Sequence, residues 1–131
     1  MTKITGVIAL LAYEDIVKAH DFLVEAFGFT SGGIFRDADG TVRHGEVRAG
    51  DFVIWMHRVT PEHRLLSPRA LAADSGGLVV RVDDVDAHCA QARAHGAKIM
   101  SEPSEKPYGQ RDYSTEDTEG HRWWFATEST P

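Results

Sequence analysis

Residues 15–28 read DIVKAHDFLVEAFG, and residues 83–96 read DDVDAHCAQARAHG. With the chain shifted on itself by 68 residues (83 − 15 = 68), Asp15, Val17, Ala19, His20, Ala26 and Gly28 fall on Asp83, Val85, Ala87, His88, Ala94 and Gly96. Self-similarity at a fixed offset marks a duplicated structural unit. Both stretches open on an acidic N-cap residue, Asp15 in one and Asp83 or Asp84 in the other. Both close on glycine, which helix C-termini favour, so a helix is predicted in each. In the first, Ile16, Ala19, Leu23 and Ala26 recur at three- and four-residue spacing, with Phe22 and Phe27 beside them, as a one-sided stripe for packing on a sheet. In the second, Val85, Cys89 and Ala92 share a face, and Cys89 is read there as a small hydrophobe.

Outward from each helix the texture is β. Apolar runs precede the helices, Val7–Ala12 and Leu78–Val82. Phe29–Arg36 follows the first, then the turn Asp37-Ala38-Asp39-Gly40, Val42–Ala49, the turn Gly50-Asp51, and Phe52–His57. The second is followed by Lys98–Glu102, a polar loop Glu102–Gly109, Arg111–Glu116, the turn Asp117-Thr118-Glu119-Gly120, and Arg122–Thr127. Each half thus reads β-α-β-β-β. The fold class expected is α+β: two tandem βαβββ modules forming curved mixed sheets around a concave pocket. All 131 residues fall in a single domain, with module 1 at 4–58, a linker at 59–76 carrying a short helix near Arg69–Ala73, and module 2 at 77–128.

Composition narrows the partners. With 14 Lys+Arg against 20 Asp+Glu the net charge is 14 − 20 = −6, which suits neither nucleic acid nor an anionic membrane. Apolar residues make up 42% of the chain, enough for a packed core and too many for a disordered segment. One cysteine, Cys89, excludes an intrachain disulfide and an all-cysteine zinc site. The longest aliphatic run, Val7 to Ala12, is far short of a bilayer span, and the N-terminus lacks the layout of a signal peptide. A cytoplasmic protein is expected.

The twofold βαβββ repeat resembles the vicinal oxygen chelate superfamily of glyoxalase I and bleomycin-resistance proteins. The segment Asp117-Thr118-Glu119-Gly120-His121-Arg122-Trp123-Trp124-Phe125 is similar to the family's Asp-Pro-Asp/Glu-Gly-His turn into its last strand, with Thr118 in the place of proline. Tyr108-Gly109-Gln110-Arg111 resembles its Trp/Tyr-Gly-x-Arg approach. The fold so implied hosts isomerases, dioxygenases, epimerases, thiol transferases and non-catalytic drug binders. The resemblance also implies four metal-ligand positions, on the first and last strand of each module. In this chain they fall at Ile8, Trp55, Gly77 and Trp124, none of which offers a protein side-chain donor. No metal or other cofactor is therefore expected. A displaced site from His44, Glu46 and His57 is the alternative, since residues two apart on a strand share a face. His20 and His88 are expected on helices as surface residues or hydrogen-bond donors, His63 and His95 in solvent, and His121 as the residue that orients its turn.

Alternation on the last strands sorts the tryptophans. Phe52, Ile54, Met56, Trp123 and Phe125 fall on one face and Trp55 and Trp124 on the other; the resemblance implies that the first face packs under the helices and the second lines the concave sheet, where the two tryptophans either fill a vestigial cavity or offer flat surfaces to a ligand. Stacking on two such rings is worth about 2–6 kcal/mol, short of the roughly 8 kcal/mol that micromolar binding needs, so other groups must contribute. The candidate binding set is Trp55, Trp124, His57, His44, Glu46, Ile8, Arg122, Tyr108, Arg111 and Tyr113, with apolar walls from Leu10, Val53, Val79 and Phe35 and the loop before Tyr108 as a lid. These residues point to a metal-free small-molecule binder of the bleomycin-resistance type, sequestering a planar or aromatic compound such as an antibiotic. The alternative is a superfamily lyase, isomerase or dioxygenase, using displaced metal ligands or metal-free acid–base chemistry on Glu46, His44 or His57. Because each half-open sheet needs a second to close a cavity, and family members of this size often pair modules across chains, a homodimer is expected.

Overall fold

In a computed structural model, which describes residues 2–129, the chain forms two four-stranded mixed sheets carrying helices. The first comprises β1 (Ala9–Tyr13), β2 (Thr30–Arg36), β3 (Val42–Ala49) and β4 (Phe52–Arg58), with α1 (Ile16–Phe27) crossing from β1 to β2. The second comprises β5 (Gly77–Arg81), β6 (Lys98–Lys106), β7 (Gln110–Glu116) and β8 (Arg122–Glu128), with α3 (Val85–Ala94) after β5. A single 3-10 turn (Pro61–His63) and the short α2 (Pro68–Leu71) lie between them. The strand orders, β1-β4-β3-β2 and β5-β8-β7-β6, are identical, with the first strand parallel to the last and hairpins completing each sheet. The helices explain the one parallel pair, since a parallel neighbour needs a long crossover.

The caps form as the sequence predicts. The Asp15 carboxylate accepts from the Lys18 amide and that of Asp84 from the Ala87 amide. Gly28 ends α1 at φ +76°, the left-handed conformation that glycine adopts without penalty. Core packing starts on the helix stripes. Ile16, Ala19, Leu23 and Ala26 are buried on α1, as are Val85, Cys89 and Ala92 on α3. The two helices and both sheets then share one core. Phe27 of α1 meets Phe125 and Trp123 of β8 edge-on, at 4.9 and 5.7 Å between ring centroids.

Two expectations are corrected. Lys98–Glu102 is only the first half of β6, which runs on to Lys106 through Pro103, so the loop expected at Glu102–Gly109 shrinks to a tight hairpin. An edge strand can absorb a proline, and register shifts flank the stretch. Phe52, expected in the core, is 77% exposed at the start of β4.

A polar clasp joins the modules at the turn between β7 and β8. One Asp117 carboxylate oxygen accepts from the Tyr13 hydroxyl and the Trp123 indole, and the other from the amides of Glu119 and His121. The buried Glu119 carboxylate accepts the Glu14 and Asp15 amides at 2.7 and 2.8 Å, at the mouth of α1. His121 Nε2 donates to the Ala12 carbonyl at 2.8 Å. The turn is therefore a structural device, and His121 secures it to β1.

Candidate functional site

On the face of the first sheet away from α1, pairing places His44 opposite His57 and Glu46 opposite Trp55. Trp55 donates its indole N–H to Glu46 at 3.1 Å, and the other Glu46 oxygen accepts from Arg48 at 3.2 Å. The His44 ring meets Trp55 edge-on at 5.4 Å and Phe35 at 5.6 Å. Gly32 makes room for this arrangement, because a Cβ there would stand 2.6 Å from the Glu46 carboxylate. Leu10, the parallel partner of Trp55, is 43% exposed beside it, and Ile8 lies one residue before β1. His44, Glu46, His57 and Trp55 are thus brought together, with Trp55 itself 37% exposed.

On the second sheet Trp123 is fully buried on the helix side, and Trp124 lies half-buried on the opposite face. Trp124 rests on Gly77, where a Cβ would be 2.5 Å from the ring. The Arg122 guanidinium lies over the same ring, 5.6 Å from its centroid. Arg122, Trp124 and Gly77 line a cavity of about 760 Å³ with the β7–β8 turn and the segment around Asp74; Trp55 is not among its walls. Within the single chain the two tryptophans therefore sit on separate surfaces.

Three members of the expected binding set lie elsewhere. Tyr113 is fully buried on the helix side of β7, donating its hydroxyl to His88, and burial pushes its phenol pKa up. Arg111 forms a two-pronged pair with Asp86 of α3, at 2.8 and 3.0 Å. Strand alternation explains both, since Asp112 and Ser114 take the opposite face of β7. Tyr108 is at the hairpin tip, but its hydroxyl donates to the buried Asp112 at 2.8 Å, alongside Gln110 at 3.0 Å. That bond holds the Tyr108 phenol above its usual pKa range and fastens the tip to β7. The paired histidines are not surface residues. His20 bonds Ser31 at 2.7 Å, and half-buried His88 bonds the Phe27 carbonyl at 2.8 Å.

The donor set does not fit a metal. Ile8, Trp55, Gly77 and Trp124 provide no oxygen, sulfur or imidazole ligand. The displaced trio does not replace them: Glu46 is engaged by Trp55 and Arg48, and no three His, Cys, Asp or Glu gather into a metal-holding group among the described residues. Sequence reading did not find the Trp55–Glu46 bond, the Gly77–Trp124 contact or the Arg122 stack. The signal for the last two was present, with Gly77 two residues before Val79, the strand partner of Trp124.

The model of the glyoxalase/bleomycin resistance protein/dioxygenase superfamily matches residues 6–125. The chain belongs to that superfamily. Among solved structures, TioX from Micromonospora sp. ML1 is 31% identical with a TM-score of 0.73, over 97% of this chain and 98% of that one. TnmS3 from Streptomyces sp. CB03234, described as an antibiotic binding protein, is 26% identical with a TM-score of 0.74, over 98% of this chain and all (100%) of its own. A glyoxalase-related enzyme from Clostridium phytofermentans shares the fold at 15% identity and a TM-score of 0.76, with 97% of each chain covered. The superfamily includes both enzymes and binding proteins. No helix among the described residues is long and apolar enough to cross a membrane.

Proposed function

We propose that this protein is a metal-free binder that sequesters a planar aromatic compound, an antibiotic on the precedent of TnmS3, on the surfaces of Trp55 and Trp124. One observation carries the reading: tryptophans occupy the last-strand ligand positions of both modules, with Trp55 exposed and Trp124 facing a cavity. Stacking supplies about 1–3 kcal/mol per ring. His44, Glu46, His57 and Arg122 supply polar orientation, and Ile8, Leu10 and Val79 supply apolar wall. Because Trp55 and Trp124 sit on separate surfaces of one chain, a common cavity takes module 1 of one copy and module 2 of another. The functional unit is then a homodimer, and the cytoplasm is its proposed location.

The test is a titration of planar aromatic antibiotics followed by tryptophan emission. Saturable quenching is expected, with Trp55→Ala and Trp124→Ala each weakening affinity about 5- to 150-fold, the equivalent of one lost stack. Wild-type behaviour in both variants, or no saturable response across a broad panel, removes the proposal.

A further inference from the structure

On the open face of the second sheet the Arg122 guanidinium stands beside Trp124 without a protein partner. It lies over Trp124, yet it donates no hydrogen bond to the protein and makes no ion pair among the described residues. Glu116 faces it across the β7–β8 pairing without closing to ion-pair distance. The other acids around the cavity have donors of their own. Asp117 and Glu119 accept the clasp bonds, and Asp74 accepts the Arg122 amide at 3.2 Å with His121 Nδ1 at 3.9 Å. Arg69, the second guanidinium on the cavity, is turned to Glu14 at 3.5 Å and Glu119 at 4.0 Å. A guanidinium held over an indole and free of protein acceptors keeps its N–H donors for a ligand oxygen, and its planar fork suits a carboxylate.

We propose that Trp124 and Arg122 together read an anionic aromatic ligand. The ring lies on the indole, and a carboxylate or phenolate attached to it takes the guanidinium edge. This assignment rests on the aromatic-binding reading and adds the sign of the ligand's charge. Glu116 and Asp74 set the opposing preference, since a cationic ligand would be drawn to them, so charge sign is the quantity to measure.

Three probes share one ring and differ in charge: 2-naphthoate, 2-naphthalenemethanol and 2-naphthalenemethylamine. Each is titrated by calorimetry at neutral pH into the wild-type protein, Arg122→Gln, Arg122→Lys and Trp124→Ala. Naphthoate is expected to bind about tenfold more tightly than the alcohol, the scale of one charge-assisted bond. Arg122→Gln erases that difference, so that naphthoate and the alcohol bind alike, and unchanged far-UV circular dichroism reports an intact fold. Arg122→Lys retains part of the preference, and Trp124→Ala weakens all three probes. Equal or tighter binding of the alcohol or amine in the wild type, or a naphthoate preference surviving in Arg122→Gln, overturns the charge assignment and leaves the aromatic reading standing. No saturable binding of any probe overturns both.

Discussion

Gly77 shows how one missing side chain sets the chemistry of a surface. The space its Cβ would fill is taken by the Trp124 ring, and the Arg122 carbonyl lies 2.7 Å from the same point. Glycine at one family ligand position and tryptophan at the other are thus two halves of one packing arrangement. Gly77→Ala is expected to displace the ring and cost about 1–3 kcal/mol as an overpacked site. Urea unfolding measures the cost and a shifted tryptophan emission reports the displacement; unchanged values of both would show that the ring is not seated there. Alternation separated Trp123 from Trp124 correctly but put Phe52 in the core, where the start of β4 leaves it exposed. Tyr113 and Arg111 were misplaced because nearness in sequence to a loop outweighed the alternation of β7, which turns both toward α3.

At the scale of elements, His88 couples the helices. Its Nε2 donates to the Phe27 carbonyl, an acceptor only, so Nδ1 is left to accept from the Tyr113 hydroxyl, and the ring stacks on Phe125 at 4.0 Å. This geometry requires the neutral imidazole, and burial holds the His88 pKa below its ordinary value, opposed in part by the bond to Phe27. The unfolded chain therefore takes up a proton first as pH falls. Stability from this group is complete above about pH 6.5 and is lost as pH drops through the lowered folded value. Urea midpoints of the wild type are expected to fall across that window, and His88→Gln to show a flatter profile; parallel profiles would show that other groups govern the decline. The repeat made the strand–helix–strand order readable. The full length of β6 was not readable, because Pro103 signals a break that an edge strand tolerates.

For the molecule as a whole, the first strand of each sheet carries an exposed apolar residue. Leu10 on β1 and Val79 on β5 are 43% and 58% exposed on edge strands with no outer neighbour. Leu10→Glu and Val79→Glu are each expected to shift the mass measured by light scattering from dimer to monomer and to abolish aromatic binding, with far-UV circular dichroism unchanged. A wild-type protein that is monomeric at micromolar concentration would count against the homodimer. The clasp bears on how such a chain is made. The amide of Asp15, at the start of α1, is satisfied by Glu119, 104 residues later. At the roughly 5–20 residues per second of synthesis, about 5–20 s separate the two on the ribosome. Throughout that interval the first module waits with the mouth of its helix open and the Tyr13 hydroxyl without its acceptor, so neither half is finished until the turn before the last strand has emerged.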